Sequence, residues 1–289
     1  MFEDSYKKKN QENYNLSASS HAKFGLDSTL YLAYRDAGKI LQKHLFSRSS
    51  KSTFRILDYG CGAGLSTSIY MHIVKAAGYN VEIVGADISE DNLVFAKEKV
   101  PEGLFVKILA HQELDILGKF DLIICNFVLI EIPYHDLEKT VTKLQTLLHD
   151  SGLFITTNTT RQAYKYSNSW YTLNNKFEDN TPKELKGGKL RLMEDQKVSL
   201  AVKNPETEQQ LFRFFDFFHS GRAFRNAYKK ASLKLVETYR PLGVASDGIP
   251  WKSEMEFSPY KIHILYPDRE PLLKPELYES DNHILRSRL

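Results

Sequence analysis

The chain reads Phe54-Arg55-Ile56-Leu57-Asp58-Tyr59-Gly60-Cys61-Gly62-Ala63-Gly64, a short apolar run that ends in three closely spaced glycines. Glycines let a backbone turn sharply and let a ligand approach the main chain closely. A helical pattern follows from Leu65 to Ala77 and stops at Gly78. The N-terminus of that helix offers free amide groups beside the loop. The pattern predicts a strand, a ligand-binding loop and a helix.

The same alternation of strands and helices continues to residue 160. Ser89 is placed to cap a helix, and Pro133 to open another that runs to about His149, ahead of a turn at Ser151-Gly152. Strands spaced by helices predict βαβ units and a parallel sheet. The predicted strands after the first are Val81–Asp87, Phe105–Leu109, Asp121–Asn126 and Leu153–Thr157.

After residue 160 the pattern changes to aromatic and polar segments. It predicts two antiparallel strands, a helix from Ser220 to about Ala231, and a closing pair of strands. The aromatic run 211–218 is explained either as a packed strand or as a binding wall for a flat substrate. The predicted strands in this part are Lys197–Val202, Gln210–Phe215, Leu233–Tyr239 and Tyr260–Tyr266.

The glycine loop differs from a dinucleotide site in two ways. Such a site needs glycines at the first, third and sixth positions, and the sixth position from Gly60 is Leu65. The loop also begins with Asp58, which would repel a pyrophosphate and suits a cationic ligand. Asp87 ends the second strand, where a ribose-binding acid is expected, and a carboxylate accepts both ribose hydroxyls.

These residues resemble motifs I and II of class I S-adenosylmethionine-dependent methyltransferases. The resemblance rests on residues 57–64 and 84–89, with residues 120–126 as the family's fourth strand, and it covers roughly residues 54–160 plus the closing strands. It implies an α/β, Rossmann-like, mostly parallel seven-stranded sheet with helices on both faces and a reversed last strand.

The resemblance also implies S-adenosyl-L-methionine as cofactor, with its methionine part near Asp58, Gly60 and Gly62 and its ribose on Asp87. The chain departs from the family after the third strand, where many members carry an acid and this sequence has Ala110-His111-Gln112. Gln112 or the backbone is able to replace the acid near adenine. The predicted cofactor-binding residues are Asp58, Tyr59, Gly60, Cys61, Gly62, Asp87, Ile88, His111, Gln112, Asn126 and Phe127.

The predicted organisation has four parts. Residues 1–50 form a helical lid, 51–160 the cofactor-binding core, 161–219 a substrate-cap insertion, and 220–289 the last helix and closing strands. Methyl transfer needs orientation and exclusion of water more than a fixed triad. The candidate catalytic residues are His21, Glu131 and Tyr14, although His21 and Glu131 also fit plain helix-start positions. The candidate acceptor-binding residues are Arg161, Tyr164 and Trp170.

Composition narrows the function. The chain has 39 Lys and Arg against 36 Asp and Glu, a balance that argues against nucleic acid as a partner. Cys61 and Cys125 fit small buried hydrophobes rather than a disulfide framework, and no residue cluster has metal-ligand spacing. Without an apolar signal core or a run of roughly 18 apolar residues, we expect a cytoplasmic protein that does not enter a membrane.

The sequence favours methylation of an oxygen or nitrogen atom of a small-molecule acceptor. Methylation of a protein, peptide or RNA stays open, as does the role of a non-catalytic partner subunit. A homodimer also stays open.

Overall fold

The computed structural model describes residues 3–109, 111–165, 169–177, 183–185 and 189–268 of the 289-residue chain. The strands are β1 (Thr53–Tyr59), β2 (Asn80–Asp87), β3 (Leu104–Lys107), β4 (Phe120–Asn126), β5 (Leu148–Thr159), β6 (Leu173–Phe177), β7 (Lys183–Leu185), β8 (Lys189–Arg191), β9 (Gln196–Lys203), β10 (Gln210–Phe218), β11 (Leu233–Tyr239) and β12 (Tyr260–Pro267). The α-helices are α1 (Glu3–Lys23), α2 (Tyr31–Tyr34), α3 (Ala37–His44), α4 (Leu65–Ala76), α5 (Glu90–Lys99), α6 (Tyr134–Thr146), α7 (Arg161–Lys165) and α8 (Gly221–Lys230).

The main sheet has seven strands in the order β11-β12-β5-β4-β1-β2-β3. The pairs within β5-β4-β1-β2-β3 are parallel, and β12 runs antiparallel to both β5 and β11. Every residue of β4 is buried, as expected for a strand covered on both faces. The predicted seven-stranded sheet with a reversed last strand is confirmed.

Successive residues of each strand face opposite sides of this sheet, so two apolar cores form. Ile56 of β1 packs in the cluster that includes α3 and α4, whereas Leu57 packs in the cluster that includes α6 and α8. Two predicted helix caps are present, because Ser89 Oγ accepts a hydrogen bond from the Asn92 amide and Ser220 Oγ accepts one from the Ala223 amide. The two clusters show that helices cover both faces of the main sheet.

The boundary between α6 and β5 differs from the prediction. The helix ends at Thr146, and β5 begins at Leu148 instead of after a turn at residues 151–152. Leu148 is buried and pairs with Phe120, and the register shifts before Leu153 pairs with Leu122. The strand thus absorbs Ser151-Gly152 as an irregularity, because burying Leu148 favours an early start. The third strand also ends earlier than predicted, at Lys107.

A second, three-stranded antiparallel sheet, β10-β9-β6, arises from the segment between β5 and α8, beside the small ribbon of β7 and β8. Helix α1 packs against α5 of the core and β10 of this second sheet. Cys61 and Cys125 are buried and free, which confirms their interpretation as small buried hydrophobes. In the described ranges, no helix is both long and apolar enough to cross a membrane.

Candidate functional site

The loop between β1 and α4 depends on left-handed glycines. Gly60, Gly62 and Gly64 have φ angles of 75°, 51° and 82°, a region that side-chain-bearing residues rarely adopt. A Cβ atom on Gly60 would lie 2.1 Å from Val128 Cγ2, so the loop packs tightly there. A Cβ atom on Gly62 would meet nothing within 4 Å. The main chain at Gly62 therefore borders open space.

Asp87 holds this loop from the end of β2. Its Oδ2 accepts a hydrogen bond of 2.8 Å from the Gly62 amide, and its Oδ1 accepts one of 2.9 Å from the Ser89 amide. Burial raises the pKa of Asp87, and the backbone donors oppose that rise. Because a carboxylate has about four lone pairs and backbone donors occupy three of them, Asp87 is still able to accept a hydrogen bond from a ligand.

Asp58 lies behind the loop. Its Oδ2 accepts hydrogen bonds from Ser66 Oγ at 2.5 Å and Thr67 Oγ1 at 2.6 Å, which fasten the loop to the first turn of α4. Its Oδ1 is buried and accepts no hydrogen bond from any residue that the structure describes. Burial raises the pKa of Asp58 to about 6. An unpartnered buried carboxylate oxygen favours a nearby cationic donor.

A cavity of about 280 Å³ extends from this loop towards the second sheet. Eight of the predicted cofactor residues line one end of this cavity, and Asp58 is not among its lining residues. The side chains of His111 and Gln112 lie outside the described part of the chain. Residues that the sequence analysis missed are also here, among them Ile108 and Leu109 directly after β3. The predicted residues at the cavity are Tyr59, Gly60, Cys61, Gly62, Asp87, Ile88, Asn126 and Phe127.

The other end of the cavity is aromatic. Phe212 and Phe214 of β10 line it, so this part of the aromatic run forms a wall, while Phe218 of the same strand packs in a small core cluster. Phe127 follows β4 with a φ of 65° and packs edge-on to Tyr260 at 5.0 Å between ring centroids. The aromatic residues at this end are Tyr14, Phe24, Phe212, Phe214 and Tyr260, whereas Tyr34 and Phe127 line the cavity nearer the cofactor residues Asp58 and Asn126.

Two of the candidate catalytic residues meet at this end. The Tyr14 hydroxyl, on α1, donates a hydrogen bond to Oε1 of Glu131, in the loop after β4. Burial raises the pKa of both side chains well above their usual values, and nearby negative charge adds to the rise at Glu131. His21 lies on the same helix, but its side chain is outside the described part of the chain.

The three candidate acceptor-binding residues are not among the residues that line this cavity. Arg161 is exposed at the start of α7, and Trp170 is fully buried in the main core. Tyr164 is also buried, with its hydroxyl 2.8 Å from Oδ2 of Asp216. Trp170 and Tyr164 pack in apolar clusters instead of facing the cavity, because burial of large aromatic side chains stabilises the fold.

Asp216 is a buried acid that the sequence analysis missed. It is 0% exposed, and its Oδ2 also accepts a hydrogen bond of 3.3 Å from Thr159 Oγ1, a cavity residue. Burial raises the pKa of Asp216 to about 8. The signal lay in the strand alternation, since Phe212, Phe214 and Asp216 share one face of β10. An acid on the apolar face of a strand is unusual.

Known proteins were compared with the chain. A family model described as "Methyltransferase domain" matches residues 50–215, more than half of the chain. The chain belongs to this family. The predicted membership of the class I S-adenosylmethionine-dependent methyltransferases is confirmed, with S-adenosylmethionine as the cofactor. Among the described residues of this methyltransferase, no group of three or more His, Cys, Asp or Glu is placed to hold a metal ion.

Two curated relatives match shorter stretches. The magnesium-protoporphyrin O-methyltransferase of Rhodobacter capsulatus is 30% identical over 103 residues, which are 35% of this chain and 43% of that protein. An uncharacterized phycocyanin operon protein W of Pseudanabaena tenuis is 42% identical over 52 residues, 18% of this chain and 45% of that protein. The chain thus spans less than half the length of the curated relatives it matches.

Three solved structures share the fold at low sequence identity. An S-adenosylmethionine-dependent methyltransferase from Clostridium acetobutylicum has a TM-score of 0.54 and 16% identity, covering 81% of this chain and 91% of its own. The CcbJ methyltransferase of Streptomyces caelestis has a TM-score of 0.57 and 15% identity, covering 89% and 98%. The magnesium protoporphyrin IX methyltransferase of Synechocystis PCC 6803, with bound S-adenosylhomocysteine, has a TM-score of 0.54 and 13% identity, covering 90% and 99%.

Proposed function

We propose that this methyltransferase transfers a methyl group to an oxygen or nitrogen atom of a small-molecule acceptor. One observation carries the proposal: a single cavity extends from the glycine loop, which Gly62 joins to Asp87 by a hydrogen bond, to an aromatic end that contains Glu131. A cofactor on the loop and a small acceptor against the aromatic wall would share this one cavity. The name of the Rhodobacter relative, a magnesium-protoporphyrin methyltransferase, adds support for a small-molecule acceptor.

The chain's own residues fit the cofactor. The remaining lone pair of Asp87 suits a ribose hydroxyl, the open space at Gly62 leaves room for a ligand against the main chain, and the unpartnered oxygen of Asp58 suits a cationic amino acid end. S-adenosylmethionine, when bound, supplies a methyl group on a positively charged sulfur. The family cofactor and the observed polar groups therefore agree.

Elements outside the main sheet enclose the acceptor end. Tyr14 reaches the cavity from α1, and Phe212 and Phe214 reach it from the second sheet. Excluding water and fixing the acceptor's orientation lower the barrier to methyl transfer. These contacts support the predicted roles of the N-terminal segment as a lid and of the insertion as a cap.

Glu131 is the proposed proton acceptor at this end. Burial raises its pKa, which makes the carboxylate a stronger base, and the hydrogen bond from Tyr14 fixes its orientation. His21 is proposed as the alternative base. A base is needed only where the acceptor atom must lose a proton.

The test is a methylation assay with purified protein and S-adenosylmethionine. Small aromatic amines and phenols, a mixed protein extract and total RNA are offered separately, and mass spectrometry detects a methyl gain in each. We expect methyl gain and S-adenosylhomocysteine release with a small molecule, and a lower rate for Asp87→Asn at subsaturating S-adenosylmethionine. Methylation confined to protein or RNA would contradict the proposal, as would cofactor binding without turnover on any acceptor.

A further inference from the structure

We propose that the aromatic end of the cavity selects an acceptor with a basic nitrogen, held between the Glu131 carboxyl group and aromatic rings, with Asp216 acting on its charge from behind the wall. The inference rests on the proposed function and names the class of acceptor for the same site. It separates this chain from its Rhodobacter relative, which is named an O-methyltransferase.

The charge of the cavity wall is the first argument. Among the described residues that line the cavity, Asp87, Glu131 and Asp136 are acidic and none is Lys, Arg or His. Asp87 lies at the cofactor loop, and Asp136 has Lys139 at 3.5 Å. Glu131 contacts the Tyr14 hydroxyl and forms no ion pair in the described ranges. The aromatic end thus carries an acid without a basic partner.

A second buried carboxyl strengthens this charge imbalance. The Phe217 amide donates a hydrogen bond of 2.5 Å to the Ile130 carbonyl, which ties β10 to the loop that carries Glu131. Asp216 precedes Phe217, and its Oδ1 is buried without a hydrogen bond. Among the side chains that the structure describes, the titratable groups that act on Glu131 are Asp216 of β10, Tyr14 of α1 and Asp87 of β2. None of these three is a cation.

Glu131 and Asp216 have no positive partner in the part of the chain that the structure describes, and two such buried carboxyls are costly to ionise together. An ammonium group on the ligand would supply the missing positive charge, so binding such a ligand would offset that cost. A carboxylate on the acceptor would instead add a third negative charge in a poorly hydrated space. The acids therefore discriminate between acceptors by charge.

The ring faces are the second, independent argument. Six further aromatic side chains line the cavity: Tyr14, Phe24, Tyr34, Phe212, Phe214 and Tyr260. Aromatic faces attract ammonium groups through their quadrupole, and the attraction grows when water is excluded. Rings combined with a carboxyl suit an amine better than they suit a neutral alcohol, for which only the apolar contact remains.

The test uses three probes with one scaffold: 2-phenylethylamine, 2-phenylethanol and 3-phenylpropionate. Each is titrated calorimetrically into protein saturated with S-adenosylhomocysteine. We expect the amine to bind about tenfold more tightly than the alcohol, and the carboxylate to bind most weakly. Glu131→Gln should remove most of the amine's advantage and leave the affinity for the alcohol unchanged.

Two further variants serve as a control and as a separate test of the aromatic rings. Glu98→Gln removes an exposed carboxylate on α5, away from the cavity, and should change none of the three affinities. Phe214→Leu keeps an apolar side chain but removes a ring, and should weaken the amine about threefold relative to the alcohol. It tests the ring argument even if Glu131→Gln does not fold.

The outcomes separate the two proposals. Failure to bind S-adenosylhomocysteine would contradict the proposed function and this inference with it. If S-adenosylhomocysteine binds normally but the alcohol or the carboxylate binds as tightly as the amine, only the proposed acceptor class is overturned. The same holds if the amine does not bind.

Discussion

Oδ2 of Asp87, the last residue of β2, accepts a 2.8 Å hydrogen bond from the backbone amide of Gly62 in the loop after β1. The contact joins the two sequence motifs on which the family assignment rests. It also shows that the acid holds the loop in shape while its carboxylate keeps a free lone pair for a ligand. The cofactor end of the site is therefore formed by the chain's own contacts.

Asp87→Asn should weaken S-adenosylhomocysteine binding by about tenfold or more. The amide oxygen still accepts the bond from Gly62, but the amide nitrogen cannot accept one from a ribose hydroxyl, and the charge is lost. Isothermal titration calorimetry measures the effect, with Glu98→Gln as the control for loss of a carboxylate. Equal affinities for Asp87→Asn and the wild type would remove Asp87 from the binding site.

Gly62→Ala and Gly78→Ala form a matched pair. Both glycines have left-handed φ angles, 51° and 87°, and a Cβ atom on either would meet nothing within 4 Å. Each substitution should therefore cost a similar backbone strain of about 1–2 kcal/mol, visible as a similar fall in melting temperature. Only Gly62→Ala should also lose cofactor affinity, because its methyl group enters the cofactor space. Parallel losses of affinity in the two variants would contradict this placement.

Glu131→Gln should lower kcat by about 10²–10³-fold, the range typical of a lost general base, and leave S-adenosylhomocysteine affinity nearly unchanged. His21→Ala is the comparison, and the larger loss of kcat marks the base. If both variants keep wild-type kcat at every pH, the acceptor loses no proton to either side chain.

Tyr14→Phe should shift the pH profile of kcat. The hydrogen bond from Tyr14 lowers the pKa of Glu131, against burial and nearby acids that raise it. Removing the hydroxyl should raise that pKa further, so the rise of kcat with pH should move to higher pH. A profile that stays in place, or moves to lower pH, would show that Tyr14 does not act on the proton acceptor.

Asp216 should make the protein less stable as pH rises. Burial raises its pKa from 3.8 to about 8 in the folded state. Between these values the unfolded chain loses the proton first, so the free energy of unfolding falls by up to about 1.4 kcal/mol per pH unit. In Asp216→Asn the side chain does not titrate, so the free energy of unfolding should not show this fall with pH.

Denaturant unfolding of both proteins from pH 5 to pH 8 checks the prediction. Relative to the wild type, Asp216→Asn should gain stability steadily across the series. A stability difference that is constant with pH would mean that Asp216 titrates normally in the folded protein.

The sequence predicted the cofactor end of the site far better than the acceptor end. Asp87 and Gly62 lie on adjacent strand–loop units with local signals of strand alternation and glycine spacing. Tyr34 and Tyr260 come from α2 and β12, distant in sequence, and only the folded sheet order brings them to one cavity. Asp216 of β10 is buried behind the cavity wall, hydrogen-bonded to the lining residue Thr159. Trp170 had the composition of a ligand contact, but burial in the core governs its position.

The central claim is that the loop containing Gly62, together with Asp87 of β2, binds S-adenosylmethionine. Binding of S-adenosylhomocysteine, the product left after methyl transfer, tests this claim most directly. Calorimetric titration of the purified, cofactor-free chain with S-adenosylhomocysteine should show saturable binding at one site per chain, with a dissociation constant of about micromolar order. No detectable binding, or binding that Asp87→Asn and Gly62→Ala both leave unchanged, would contradict the claim.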